Sequence, residues 1–137
     1  MARYSCPVFD LGGLVANADM NSNQYKFMRC GSTAGEFKLG NGACNPVPLG
    51  VLQDDPRQGD AGAIRIYGTT KLYVDGDTDI AFADFIIAGS VGQGKVNASA
   101  SSIHNAIALE AATAAGSGNL IEVLLTPWAC TAADNTP

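Results

Sequence analysis

The sequence predicts an all-β protein: a small antiparallel β-barrel or sandwich, tulip-like in outline, with an extended N-terminal arm. Three observations carry that prediction. From Asn23 onward, clusters of Gly, Pro, Asn and Asp separate short apolar runs at intervals of roughly ten residues, which is the punctuation of strands and turns. Several of those runs alternate with period two, so each presents one apolar and one polar face. Hydrophobic residues make up 47% of the chain and charged residues only 15%, a composition that folds into a core under a neutral-polar surface.

The 137 residues suffice for one domain with a core of its own. Residues 1–20 stand apart from the rest of the chain. They mix Pro7, Gly12 and Gly13 with Val8, Phe9, Leu11, Leu14 and Val15 and keep no sustained period. Such a segment needs a surface to lie on, either as an arm reaching over a neighbour or as an ordinary first strand of its own domain. The arm assignment makes Tyr4, Phe9, Leu11 and Leu14 apolar anchors and Arg3 a polar one, in contact with a partner protein or a neighbouring copy. Residues 21–128 form the β-domain and residues 129–137 a C-terminal tail.

Within the domain the runs QYKFMRC, FKLG, PLGVLQ, AIRIYG, KLYVDG, DFIIAG, KVNAS and LIEVLL read as strands. In AIRIY, Ile64 and Ile66 face one way, Arg65 and Tyr67 the other. In LIEVLL, Ile121 and Val123 oppose Glu122. One segment dissents: SASSIHNAIALEAATAAG is rich in Ala, Leu and Glu, and by propensity alone it is helical to Gly116. An internal comparison opposes this. Shifted by 57 positions, PLGVLQDDPRQGDAGAIRIYG falls on NAIALEAATAAGSGNLIEVLL without a gap, setting Leu52 on Leu109, Gly59 on Gly116 and Ile64 on Ile121. Asp54-Asp55-Pro56 in the first copy excludes a long helix. Both copies are therefore expected to be strand, exposed loop, strand, with a helical turn near Ala111–Ala115 in the second.

The chemistry-bearing motifs are thin. Gly89-Ser-Val-Gly-Gln-Gly-Lys95 approaches the spacing of a phosphate-binding loop, but Val96 stands where a metal-holding hydroxyl belongs and no helical pattern comes after it. A hairpin turn is the expectation. Asp75, Asp77 and Asp79 begin like a calcium loop, but Ile80 and Ile86 occupy the positions of its glycine and its bidentate glutamate. His104 is the sole imidazole, and no nucleophile elbow accompanies it. Asn97-Ala98-Ser99 is a formal glycosylation sequon. Trp128 is expected to pack over a barrel end or a neighbour.

Four cysteines, Cys6, Cys30, Cys44 and Cys130, include no C-x-x-C pair, and with one histidine they make no zinc pattern. They are free thiols or two bridges of undetermined pairing. No catalytic set, cofactor or metal is expected, and so no enzyme. A net charge of −5 with scattered basic residues argues against nucleic acid as a partner. No apolar run is long enough to span a membrane, and the N-terminus lacks the apolar core of a secretory signal.

The order of the elements resembles the small decoration (cement) proteins of tailed-phage capsids. A Ser-x-Gln-Tyr/Phe-x-Phe strand opens that family's domain, matched by Ser22, Gln24, Tyr25 and Phe27. A Gly-Val-Leu-Gln-x-x-Pro-x-x-Gly hairpin comes next, matched by Gly50 to Gln53, Pro56 and Gly59. A strand with a Gly-x-Gly-Lys/Arg-Val turn and a closing Ala-Leu-Glu-Ala-Ala…Gly…Val-Leu-Leu are matched by Asp84 to Val96 and Ala108 to Leu125. The likeness spans residues 16–127, and it departs from the family at Ile107, where a glycine is usual. It implies a homotrimer, made in the host cytoplasm, that binds the major capsid protein on the outer surface of the virion and stabilises the shell across capsomer boundaries. A head-fibre or host-adhesion module, with Asp54–Asp60 and Asp75–Asp79 as glycan- or receptor-contacting loops, is the alternative.

Overall fold

The computed structural model describes residues 7–42, 48–97, 104–114 and 119–126. Among these residues there is no helix. Eleven strands form two sheets. The first is open, with β1 (Phe9–Leu11), β2 (Val15–Ala16), β3 (Phe27–Cys30), β4 (Glu36–Leu39), β5 (Pro48–Leu52) and β6 (Ile64–Tyr67) in the order β1-β6-β5-β3-β4-β2. The second closes on itself as a five-stranded barrel, β10-β11-β7-β9-β8, made from β7 (Thr69–Val74), β8 (Phe85–Ala88), β9 (Gly94–Val96), β10 (Ala106–Ala108) and β11 (Asn119–Leu125). The all-β, barrel-containing fold expected from the sequence is the fold observed.

Alternation places the side chains as expected. On β11, Ile121, Val123 and Leu125 are buried while Leu120, Glu122 and Leu124 face out. On β6, Ile64 is fully buried and Ile66 packs beside it, whereas Arg65 and Tyr67 lie on the other face. The barrel interior holds Leu72, Val74, Ile86, Ala88, Ala106, Ala108, Ile121 and Val123. The small alanines on β10 and the close approach at Gly94 suit so narrow a barrel; a Cβ on Gly94 would lie 2.6 Å from Leu72 Cδ2.

The open sheet buries both faces. Phe27 and Val51 point into the barrel cluster, while their neighbours Met28 and Leu52 point the opposite way, onto Ala16, Met20, Phe37 and Ile64. The two cores therefore share one sheet as a common wall. Gly68 is the joint between β6 and β7. Its φ of +96° needs glycine, and a Cβ there would meet the Pro7 carbonyl oxygen at 2.6 Å.

Two expectations need correction. The sheets are not wholly antiparallel: β2 pairs with β4 and β7 with β9 in parallel. The second arises because β8 crosses from one end of the barrel to the other, so β9 returns beside β7 in the same direction. The helical turn near Ala111–Ala115 is absent over its described residues, 111–114. Ile80 and Ala112 exchange both backbone hydrogen bonds, at 2.7 and 2.9 Å, which withdraws that backbone from helical pairing. Both halves of the internal comparison are indeed strand–loop–strand hairpins, β5–β6 and β10–β11. Their registers differ by one residue, since Val51 faces Arg65 whereas its counterpart Ala108 faces Val123 and not Glu122.

Residues 7–20 lie along a surface, and that surface is the protein's own sheet. β1 pairs antiparallel with β6, setting Asp10 opposite Arg65. The Arg65 guanidinium donates to both Asp10 carboxylate oxygens, at 2.8 and 3.3 Å, and to the Thr69 carbonyl at 3.2 Å. Further on, Ala16 and Met20 are fully buried, and Leu14 packs against the same cluster.

Candidate contact surface

The outer face of the barrel is ordered in rows, because register partners on neighbouring strands project to the same side. Phe85 on β8 is opposite Ile107 on β10, Ile107 is opposite Leu124 on β11, and Leu124 is opposite Thr69 on β7. Phe85 is 51% exposed and Leu124 36%. Two residues along β11 the row changes character, with Glu122 opposite Lys71, and two further it is apolar again, with Leu120 opposite Tyr73. The surface is thus an apolar row, a charged row and a second apolar row.

The first row runs toward the joint between the sheets. Leu125 donates its N–H to the Gly68 carbonyl, and Pro7 and Val8 cross over Gly68 from the other side. Around that joint Val8, Phe9 and Tyr67 are all exposed, Phe9 and Tyr67 by 57% each. Phe9 and Tyr67 are cross-strand partners. These three side chains place aromatic and aliphatic surface in solvent at the joint.

The residues singled out from the sequence occupy several places. Phe9 is exposed on the edge strand β1, Leu11 is half-buried, and Leu14 packs on the core of the open sheet. Arg3 and Tyr4 lie outside the described residues, as do Cys6, Cys44, Trp128, Cys130 and the tail. Cys30 is an exposed free thiol at the end of β3. His104 stacks on Phe85, with ring centroids 4.3 Å apart and planes inclined by 21°, so the histidine extends the apolar row. The sequence offered no signal for this pairing, since nothing in one dimension sets His104 beside Phe85.

Gly89–Lys95 is a hairpin turn between β8 and β9, as expected. Gly89 donates to the Gln93 carbonyl at 2.6 Å, and the Gly92 carbonyl accepts from Phe27 at 2.7 Å, which fastens the turn to the open sheet. The Gly89 and Gly92 amides are spent within the turn, and the strand β9, not a helix that would aim amides at a phosphate, follows it. The acidic loops are likewise engaged with backbone. Asp54 accepts from Ala63 N–H, Asp75 from Asp77 N–H, and Asp79 from Ala114 N–H at 2.6 Å. Among the described residues no three His, Cys, Asp or Glu side chains converge as metal ligands would. No described helix is long and apolar enough to cross a membrane.

No protein-family model and no curated protein matches the sequence. Among solved structures the chain is similar to the N base of the head fibre protein gp8.5 of bacteriophage phi29, with a TM-score of 0.60 at 18% identity. The similarity covers 90% of this chain and 96% of that one, so the fold is shared.

Proposed function

We propose that this chain is a structural protein of a phage virion that binds the outer surface of the capsid as a homotrimer and stabilises the shell across capsomer boundaries. The observation that carries the reading is the domain-wide likeness in architecture to a protein of a phage head. The row of exposed Phe85, half-buried Ile107 and exposed Leu124, with Val8, Phe9 and Tyr67 exposed at the joint, supports it as a surface suited to a fixed protein partner. Three joined copies would multiply modest contacts into firm attachment on a lattice. Such a role asks for no chemistry.

In this reading residues 1–11 supply the arm contacts, with Arg3, Tyr4 and Phe9 reaching the capsid or a neighbouring copy, while Leu11 and Leu14 hold the arm to its own domain. Deleting the whole segment would strip β1 from β6, so the sharper test is Phe9→Asp. Retention of that variant on purified capsids is expected to fall, and undiminished retention would remove Phe9 from the contact. Particles assembled without the protein are expected to release DNA at a lower temperature. An unchanged release temperature would overturn the clamping role. A second reading, the base of a head fibre, is favoured by the description of the phi29 neighbour. It predicts unchanged heat resistance and reduced adsorption to the host.

A further inference from the structure

Beside the second apolar row lies a cleft of about 520 Å³ lined by Asn21, Ser22, Gln24, Tyr25, Lys26, Tyr73 and Leu120. The walls come from both sheets, the segment before β3 on one side and β7 with β11 on the other. Tyr25 is the hinge between them. Its N–H donates to the Leu52 carbonyl in the open sheet, and its carbonyl accepts from Tyr73 N–H in the barrel, both at 2.8 Å.

Those two bonds hold Tyr25 at a φ of +64°, a left-handed conformation unfavourable to a non-glycine residue. Glycine would adopt it freely. A tyrosine there is accounted for by its ring, which packs on the barrel core and also lines the cleft beside Tyr73. The polar groups around the rings are neutral amides and a hydroxyl, with one ammonium. Gln24 is fixed by donating its amide to the Gln53 carbonyl at 2.8 Å, and Lys26 Nζ donates to Asn23 Oδ1 at 3.0 Å. The lysine retains further donors beyond that bond. Asn21 and Ser22 are exposed, and no other described residue hydrogen-bonds to their side chains. No carboxylate lines the cleft, although the chain as a whole is acidic.

We propose that this cleft binds a saccharide chain bearing carboxylates, with Tyr25 and Tyr73 as the ring platform, Asn21, Ser22 and Gln24 meeting hydroxyls, and Lys26 meeting the acid. Aromatic faces receive the apolar C–H face of a sugar, and adjacent amides and hydroxyls satisfy its polar rim. The site does not depend on how the chain is seated on a particle, so failure here would leave the capsid reading intact.

The test is a titration of the isotopically labelled full chain with trigalacturonate and, separately, with neutral maltotriose, monitored by amide shifts. Trigalacturonate is expected to move the amides of residues 21–26 and 73 and to bind about threefold more tightly than maltotriose at low salt, the gain typical of one exposed charge pair. That preference is expected to vanish at high salt and in Lys26→Gln. Tyr73→Ala is expected to abolish both titrations while the spectrum of the remote core stays dispersed. If Tyr73→Ala fails to fold, Lys26→Gln and the blocking of both shifts by Ser22→Trp serve in its place. Absence of shifts at about 10 mM of either sugar would overturn the proposal, since that limit already lies above millimolar affinity. Equal binding of the two sugars would overturn the acidic assignment.

Discussion

The barrel and the open sheet solve the same problem differently. The barrel pairs every strand with two neighbours and has no edge to protect. Its core is built mostly from side chains that alternate along its own strands, from Leu72 to Val123. The open sheet ends in β1 and β2, both short and both drawn from the first twenty residues. Its far face is covered by Ala16 of the curled-over β2 and by irregular chain that carries Met20 into the core. Closure frees one half of edges, although Phe27 and Val51 of the other complete its core, whereas the open sheet relies on distant segments and on precise backbone approach. Where the two meet, Val8, Phe9 and Tyr67 stand exposed.

The largest expected effect tests whether the halves are one cooperative unit. Phe37→Ala empties the core on the far face of the open sheet and should cost about 3–5 kcal/mol. Because Phe27 and Val51 of that sheet are built into the barrel core, urea unfolding should remain a single transition with a lowered midpoint. Two resolved transitions would separate the halves.

A pair of glycines sharpens the contrast. A Cβ on Gly50 would overlap the Arg65 carbonyl oxygen on the neighbouring strand, a backbone atom that cannot step aside. On Gly94 it would press on side-chain methyls, the Leu72 Cδ2 at 2.6 Å and the Ile86 Cγ2 at 3.0 Å, which yield more readily than backbone. Gly50→Ala should therefore destabilise by about 3 kcal/mol and Gly94→Ala by about 1 kcal/mol, measured from urea midpoints. The reverse order would show that the barrel, not the sheet, is the more tightly constrained.

Asp10→Ala removes the bidentate partner of Arg65 on a partly exposed edge and should cost less than about 1 kcal/mol, with the difference shrinking in salt. Hydrogen exchange should quicken in β1 and stay unchanged in β11, because fraying of an edge strand is local. Smallest of all, Leu124→Asp should alter stability by no more than about 0.5 kcal/mol, since the side chain already meets solvent. The same substitution should weaken retention on capsids, and unimpaired retention would take the outer row of the barrel out of the contact surface.

Much of this arrangement was legible in one dimension wherever a local rule sufficed. Period-two patterning in AIRIY and LIEVLL put Ile64, Ile66, Ile121 and Val123 on their buried faces. The missing hydroxyl after Lys95 marked the glycine cluster as a turn. Asp54-Asp55-Pro56 argued the helix-prone Ala-Leu-Glu segment into a hairpin, although the one-residue difference in register between β5–β6 and β10–β11 left no trace in the aligned sequences. The cleft was missed altogether. Asn21 to Lys26 read as the opening of a strand, and the left-handed turn at Tyr25 has no signature, since neither Gly nor Asn occupies the position.

The sequence by itself determined the element type, the inward face of most strands and the places where the chain must turn. Each of those comes from interactions within a few residues: steric limits on the backbone, proline and glycine chemistry, and the need to bury alternate side chains. Tertiary structure alone decided that five strands close into a barrel, that β9 returns parallel to β7, that Asp10 finds Arg65, and that His104 joins Phe85 on an exposed row. These pairings join residues far apart in the chain. They exist because the narrow barrel and its partner sheet together bury more apolar surface than either could alone, a sum over the whole molecule that no short stretch of sequence encodes.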